Sequence, residues 1–410
     1  MKEIQPLSAV NAVIEVPGSK SLTQRALIAA ALAEGECRLL GPLASEDTQY
    51  TSQALRAMGI EVEEEGPGCW LVHGRGGRIE APPEAIYLGN NGTATRFLTS
   101  VAALGRGEFR ITGDRRMEER PIEPLMQALQ GWGVQIESVN GTGCPPLLIR
   151  ASGLQGGRTV LPEGKSSQYL SSLLLVAPYS REQARLEVAG EVLSKPYVAM
   201  TLAVMKSFGI EVKADASYTR FEIPQGAYGA QEYRIEGDAS SASYFWAAAA
   251  VTGGRVTVAN VPDPSLQGDA VFAELLGRMG CQVERTPSRG ITVTGAGELH
   301  GIEVDMGNCP DVVPTLAVVA SQARGRTVIR NIAHLRIKEC DRLHVMATEL
   351  AKLGVRTEEQ ADTLIVEGEG RRTPTLHGAE IETYNDHRIA MSFAVAGLVV
   401  PNVRIKGEEC

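Results

Sequence analysis

A helix that ends in glycine and gives way to a short β-like run recurs along the chain. It reads Met58-Gly59-Ile60-Glu61-Val62, then Trp132-Gly133-Val134-Gln135-Ile136, then Phe208-Gly209-Ile210-Glu211-Val212, with further copies centred on Gly280 and Gly354. Successive glycines lie about 71 to 76 residues apart. A period that long exceeds a solenoid unit and falls short of a usual domain, so the repeats must pack together into larger bodies. Each glycine is expected at the C′ position of its helix, where the backbone takes a positive φ that other residues resist.

A second landmark shares the period. An alanine-rich helix gives way to a strand six times, at Cys37 to Leu40, Phe109 to Thr112, Ala184 to Val188, Arg255 to Val258, Arg326 to Ile329 and Asn402 to Ile405. Six such strands against five glycine-ended helices lead to the expectation of a sixth helix about 20 residues beyond Cys410, the chain as given stopping short of a natural end. Each repeat holds two helices and several short strands, which makes the class mixed α/β. Three repeats per domain give two domains. Crossovers are expected near 17–18, where Pro17-Gly18 breaks the strand-like run Ala12 to Val16, and near 237–238. The expected domains are 1–17 with 238–410, incomplete at its C-terminus, and 18–237.

The starts of the alanine-rich helices carry the unusual residues. They are Ser19-Lys20-Ser21, Gly89-Asn90-Asn91-Gly92-Thr93 with Arg96 close behind, Gly164-Lys165-Ser166-Ser167-Gln168, Gly237-Asp238-Ala239-Ser240-Ser241, Asn308-Cys309-Pro310-Asp311 and Tyr384-Asn385-Asp386-His387-Arg388. Helix capping explains the Ser, Thr, Asn and Asp. It does not explain Lys20, Arg96 and Arg388, because a cation just inside a helix N-terminus opposes the dipole. An anionic partner offsets that repulsion, and phosphate suits such corners. Ser19 and Ser21 are both N-cap candidates for the first helix, which is expected to run to Ala33 and close at Gly35. Two loops add charge, Arg115 to Pro121 and Arg336 to Leu343. In a helix, Lys338 and Arg342 would share a face with like charges unless an anion lay between them.

A net charge of −9 speaks against a general binder of nucleic acid or membrane surfaces. No apolar run approaches the roughly 20 residues of a membrane span. The seven cysteines are scattered, with no C-x-x-C pair. They read as reduced thiols of a cytoplasmic protein rather than a disulfide framework or a zinc site.

Together Pro17-Gly18-Ser19-Lys20-Ser21 with Arg25, Gly89-Asn90 with Gly92-Thr93 and Arg96, Arg120-Pro121-Ile122, Ser166-Ser167-Gln168, Ser194-Lys195-Pro196-Tyr197, Gly237-Asp238, Lys338-Glu339 with Asp341-Arg342, and Asn385-Asp386-His387-Arg388 resemble the 5-enolpyruvylshikimate-3-phosphate synthase family. The match runs in order along nearly the whole chain. The resemblance implies two domains of three βαβαββ repeats each, an inside-out α/β barrel with its active site in the interdomain cleft. It implies a monomeric transferase of the shikimate pathway to chorismate and the aromatic amino acids. Phosphoenolpyruvate would donate a carboxyvinyl group to the 5-hydroxyl of shikimate 3-phosphate, without metal or cofactor.

The resemblance also implies roles. Lys20 would touch both substrates. Ser21, Arg25, Ser166, Ser167, Gln168, Ser194, Tyr197, Asp311 and Lys338 would hold shikimate 3-phosphate. Asn90, Gly92, Arg120, Gln168, Arg342, His387 and Arg388 would hold phosphoenolpyruvate. Asp311 would take the hydroxyl proton, and either Lys20 or Glu339 would handle the methylene proton. The chemistry needs such a set, because cations must offset repulsion between two polyanions and protons must move at two sites. The chain departs from the family pattern in three places. His334 stands where members commonly carry Asn, Asn91 and Phe97 replace a small residue and Pro, and the Lys that members carry after the last strand falls beyond Cys410. The nearest rival, UDP-N-acetylglucosamine enolpyruvyl transferase, typically has a reactive Cys in the loop that here spans Asp114 to Pro121 without one. A non-catalytic phosphate-metabolite binder is the rival of another class, and retention of Asp311, Glu339 and Lys20 together speaks against it.

Overall fold

The computed structural model describes residues 1–410 except Pro67, Lys165, Ser288, Ala296, Arg372 and Pro374. Lys165, in the third helix start above, thus lies outside the described residues. The chain divides into two compact units, Pro17–Glu236 and Met1–Val16 with Gly237–Cys410, each with its own hydrophobic core.

Eleven α-helices occur among the described residues. The unit Pro17–Glu236 holds α1 (Lys20–Leu32), α2 (Glu46–Ala57), α3 (Gly92–Ala103), α4 (Glu123–Gly131), α5 (Ser167–Val176) and α6 (Lys195–Ser207). The other unit holds α7 (Ala239–Thr252), α8 (Phe272–Arg278), α9 (Val313–Ser321), α10 (Arg342–Lys352) and α11 (His387–Gly397). The recurring glycines follow α2, α4, α6, α8 and α10, and all have positive φ, from 84° at Gly133 to 112° at Gly280. Each closes its helix in the same way. Gly59 N–H donates to Arg56 C=O at 3.0 Å and Ile60 N–H to Leu55 C=O at 2.9 Å, and the four other helix ends repeat this pair. That is the Schellman arrangement, which satisfies carbonyls the helix leaves open. The first helix ends differently from expectation. It stops at Leu32, and Gly35 is already inside the strand Glu34–Leu40.

All six expected strands form, and each is an inner strand of its own sheet. In five sheets it pairs parallel on one side and antiparallel on the other, with a fourth strand antiparallel beyond. Residues on these strands alternate between buried and exposed, so each sheet turns one face to its core and one to solvent. The helices α1, α3 and α5, and likewise α7, α9 and α11, lie inside and pack on one another. Their alanines, serines and threonines allow that close approach. Buried hydroxyls then pair between helices, Ser100 with Ser172, and Ser243 with Thr315 at 3.2 Å.

The N-terminal segment closes one unit on itself. Asn11–Ile14 pairs parallel with Arg255–Val258, and Lys2–Glu3 pairs antiparallel with Arg404–Lys406. In the other unit Glu232–Arg234, near its end, pairs parallel with Glu34–Leu40 near its start.

Candidate active site

In the unit Pro17–Glu236 the arginines at and near the helix starts lie among neutral oxygens, while Lys20 meets a carboxylate. Ser19 caps α1, accepting from Leu22 N–H, and Lys20 is the first helical residue. Its ammonium meets the Asp47 carboxylate at 2.9 Å. The same Asp47 accepts through its carbonyl from Asn91 Nδ2 at 2.7 Å, and Asn91 in turn caps α3. Asp47, in the first turn of α2, is a residue the sequence did not single out. Its only signal was the acidic pair Glu46-Asp47 at a helix start.

Arg120 is buried and donates to the Asn90 carbonyl at 2.9 Å and to Asn90 Oδ1 at 3.0 Å. Gly92 lies against it, and a Cβ there would sit 2.4 Å from Arg120 Nη2, so any larger residue would displace that side-chain end. Gln168 Nε2 donates to Thr93 Oγ1 at 3.1 Å and ties the start of α5 to that of α3. Ser166 and Ser167 are the N-cap and first residue of α5, and the Ser166 hydroxyl makes no cap bond. Ser194 precedes α6 with φ 55°.

Two arginines of this unit are bonded within it. Arg25 is buried, with its guanidinium bonded to Thr201 Oγ1, Ser171 Oγ and the carbonyls of Ser21 and Tyr197. Burial lowers its pKa to about 10. Arg96 answers its own helix terminus. It is the fifth residue of α3, and it donates back to the Gly92 carbonyl at 3.1 Å and across to Pro121 C=O at 3.0 Å. The carbonyl oxygens of Gly92 and Pro121 thus satisfy hydrogen bonds of that guanidinium.

In the other unit the cations meet carboxylates. Asp311 lies in a 3₁₀ turn that leads into α9. Its Oδ2 accepts from Arg388 Nη2 at 2.7 Å, and its Oδ1 from Arg342 Nη1 at 3.2 Å with Lys338 Nζ at 4.0 Å. Burial alone would raise the Asp311 pKa, but Arg388, Lys338 and Arg342 outweigh it and hold the carboxyl below the ordinary range. Lys338 and Arg342 do not share a helix face, because the residues between them are outside helices and α10 starts at Arg342. The anion between them is Asp311 itself.

Arg342 is buried and holds three carboxylates. Besides Asp311 it binds Glu339 Oε2 at 2.8 Å and both oxygens of Asp386, at 2.7 and 3.2 Å. Burial disfavours its charge, yet Asp386, Glu339 and Asp311 reverse that and raise its pKa. Asp386 is itself fully buried and caps α11 by accepting from Arg388 N–H at 2.9 Å. His387 is the first residue of that helix.

Two further groups border Asp311. Asp269 is buried and accepts from Ser240 Oγ. Burial first, then the charge of Asp311, pushes its pKa up to about 7. Its turn is held to the start of α7, because the neighbouring Gln267 binds Gly237 and Ala239. Asp269, in the short 3₁₀ turn Gly268–Val271, carries no motif that would single it out in the sequence. His334 is buried, and neither ring nitrogen has a hydrogen-bond partner among the described residues. Burial and the nearby Lys338 push its pKa down to about 4, against the pull of Asp311 and Asp305.

Comparison with known proteins agrees along the whole length. A family model described as EPSP synthase (3-phosphoshikimate 1-carboxyvinyltransferase) matches residues 4–410. The 3-phosphoshikimate 1-carboxyvinyltransferase of Syntrophobacter fumaroxidans is 44% identical over 409 residues, covering 100% of this chain and 95% of that one. The protein of the same description from Nostoc punctiforme is 43% identical over 403 residues, with 98% and 93% covered. A solved EPSP synthase from Acinetobacter baumannii superposes with a TM-score of 0.83 at 31% identity, covering 99% of this chain and 94% of that one.

Proposed function

The chain belongs to the EPSP synthase family, the 3-phosphoshikimate 1-carboxyvinyltransferases, and on that premise we propose how its own residues carry out the transfer. The carboxyvinyl group of phosphoenolpyruvate passes to the 5-hydroxyl of shikimate 3-phosphate, and phosphate leaves by addition and then elimination. The observation that carries this reading is Asp311, a carboxylate held among Arg388, Arg342 and Lys338.

Asp311 takes the proton of the attacking hydroxyl. With Arg388, Arg342 and Lys338 engaged on it, Asp311 is a weak base. A donor carboxylate or phosphate that draws Arg388 and Arg342 toward itself weakens their hold, so the proton affinity of Asp311 rises when donor is bound. Glu339 and Lys20 remain the two candidates for the methylene proton. Glu339 shares Arg342 with Asp311, so the protonation of one carboxylate is felt by the other.

Lys20, Asn90, Gly92, Arg120, Gln168, Arg342, His387 and Arg388 contact phosphoenolpyruvate in this reading. Lys20, Ser21, Ser166, Ser167, Gln168, Ser194, Tyr197 and Lys338 contact shikimate 3-phosphate. Arg25 acts behind them, because its guanidinium already holds the Ser21 and Tyr197 carbonyls. The protein acts as a monomer in the cytoplasm. Phosphate release from phosphoenolpyruvate tests the reading, measured with shikimate 3-phosphate and separately with UDP-N-acetylglucosamine. Release with the second acceptor and none with the first would overturn it.

A further inference from the structure

The helix α10 grips the segment ahead of α11 at two points. Arg342, its first residue, binds the Asp386 carboxylate at 2.7 Å. Glu349 lies seven residues on, two helical turns along the same face. It is fully buried, yet no step of the proposed reaction uses it. Its carboxylate accepts from the backbone N–H of Glu382 at 3.1 Å and from the Tyr384 hydroxyl at 3.0 Å, and Lys352 Nζ bonds both oxygens at 2.8 and 2.7 Å.

Between the two grips the backbone is in an unfavourable conformation. Tyr384 and Asn385 have φ of 53° and 55°, two consecutive non-glycine residues in the left-handed region. Asn tolerates that region and Tyr does not, so the surrounding contacts must impose it. Thr383 adds a third tether, donating to the Gly407 carbonyl at 3.0 Å and accepting from Asp386 N–H at 2.9 Å. This turn delivers Asp386, His387 and Arg388 to the start of α11, and from there Arg388 reaches Asp311 at 2.7 Å.

We propose that Glu349 and Tyr384 are positioning residues for donor binding, acting through the Tyr384-Asn385 turn to set where Arg388 and His387 stand. The claim deepens the proposed function and rests on it for the identity of the donor. An alternative role is plain stability, since a buried carboxylate with three donors also braces the fold. The two roles differ in what they move. A brace lowers melting temperature alone, whereas a positioning contact also changes the Michaelis constant for one substrate.

The test uses three variants of the full chain. Tyr384→Phe removes only a hydroxyl from a side chain that is partly exposed. Glu349→Gln keeps the shape and loses one acceptor. Lys352→Met removes the third partner and leaves both bonds to the turn, which makes it the control for stability. Wild-type turnover with phosphoenolpyruvate and shikimate 3-phosphate checks the parent reading first. Tyr384→Phe and Glu349→Gln are expected to raise KM for phosphoenolpyruvate about fivefold or more, the loss of one hydrogen bond, with KM for shikimate 3-phosphate within twofold of wild type. Lys352→Met is expected to lower the melting temperature with both KM values unchanged. Amide hydrogen exchange at Arg388, Ile389 and Ala390 gives a readout that needs no turnover, and protection there is expected to fall in Tyr384→Phe and hold in Lys352→Met. Unchanged KM and exchange in Tyr384→Phe overturn the proposal, and so does an equal rise in both KM values. If wild type shows no turnover, the parent reading fails, and the exchange comparison alone then decides whether the turn depends on Tyr384.

Discussion

The two units solve the same electrostatic problem in opposite ways. In Pro17–Glu236 the arginines Arg25 and Arg96 are buried against hydroxyl and carbonyl oxygens, and Arg120 against both oxygens of Asn90. In the other unit Arg342 and Arg388 are buried, and Lys338 half-buried, against Asp311, Glu339 and Asp386. Neutral oxygens satisfy a guanidinium's hydrogen bonds and leave its charge in place. Carboxylates cancel that charge and gain altered proton affinity in exchange. The first arrangement suits holding an anion. The second suits moving a proton.

The largest expected difference is at Asp311. Asp311→Asn should lower kcat by 10² to 10⁴, the usual range for a general acid–base group, while affinity for shikimate 3-phosphate stays within a few-fold. Titration calorimetry beside steady-state kinetics checks this, and equal losses in both would make Asp311 a positioning residue.

Stability should separate the units next. Asp386→Ala leaves Arg342 buried with two carboxylates in place of three and strips the cap from α11, and about 3–5 kcal/mol should be lost. Arg25→Met removes a charge whose partners are all neutral, so it should cost less, about 1–3 kcal/mol. Urea unfolding of both variants measures the gap. A larger loss from Arg25→Met would mean that neutral partners do not mark the weaker dependence on charge.

The pH dependence sharpens the contrast further. His334 has a folded pKa near 4, below its ordinary 6.5. The unfolded chain therefore takes up a proton that the native state refuses, and the His334 contribution to stability falls as pH drops from about 6.5 through 4. The full His334 effect is about 3 kcal/mol. It is opposite in sign to that of Asp269, whose pKa raised to about 7 favours the native state over nearly the same range. Asp311, whose pKa is depressed, contributes stability above its unfolded value near 3.8 and loses it only below that. The two windows are distinct. His334→Asn should remove the His334 loss between pH 6.5 and 4 and leave the acid loss below 3.8, as denaturant titrations of variant and wild type at pH 7, 5 and 3 would report.

The smallest expected effect is at Gly92. Gly92→Ala forces a Cβ to within 2.4 Å of Arg120 Nη2, and a side-chain end can move aside. KM for phosphoenolpyruvate should rise about tenfold, roughly 1.4 kcal/mol, with the acceptor's KM unchanged. An unchanged donor KM would remove Arg120 from the list of donor contacts.

Much of this was legible in the residues. The five recurring glycines all sit at helix C′ positions, because the left-handed conformation there leaves few other choices. The motif residues fall at helix starts, because capping is a local rule. Asp47, Asp269 and Asp386 were not legible as members of a network, since each reaches its partners across 27 to 44 residues or through electrostatics that no spacing records. Arg96 shows the same limit. The Gly92 carbonyl lies one turn back on its own helix, but only packing brought the carbonyl of Pro121 within reach.

The sequence alone determined the repeat, the mixed α/β class, the glycine-closed helix ends and the identity of the residues at helix starts. All of these follow from backbone conformation and contacts within a few residues. Only the tertiary structure decided which cation faces which oxygen, and hence which groups keep their charge and which give up a proton. Those outcomes depend on burial and on distances between distant parts of the chain, where moving a carboxylate by a few ångströms changes the sign of a pKa shift.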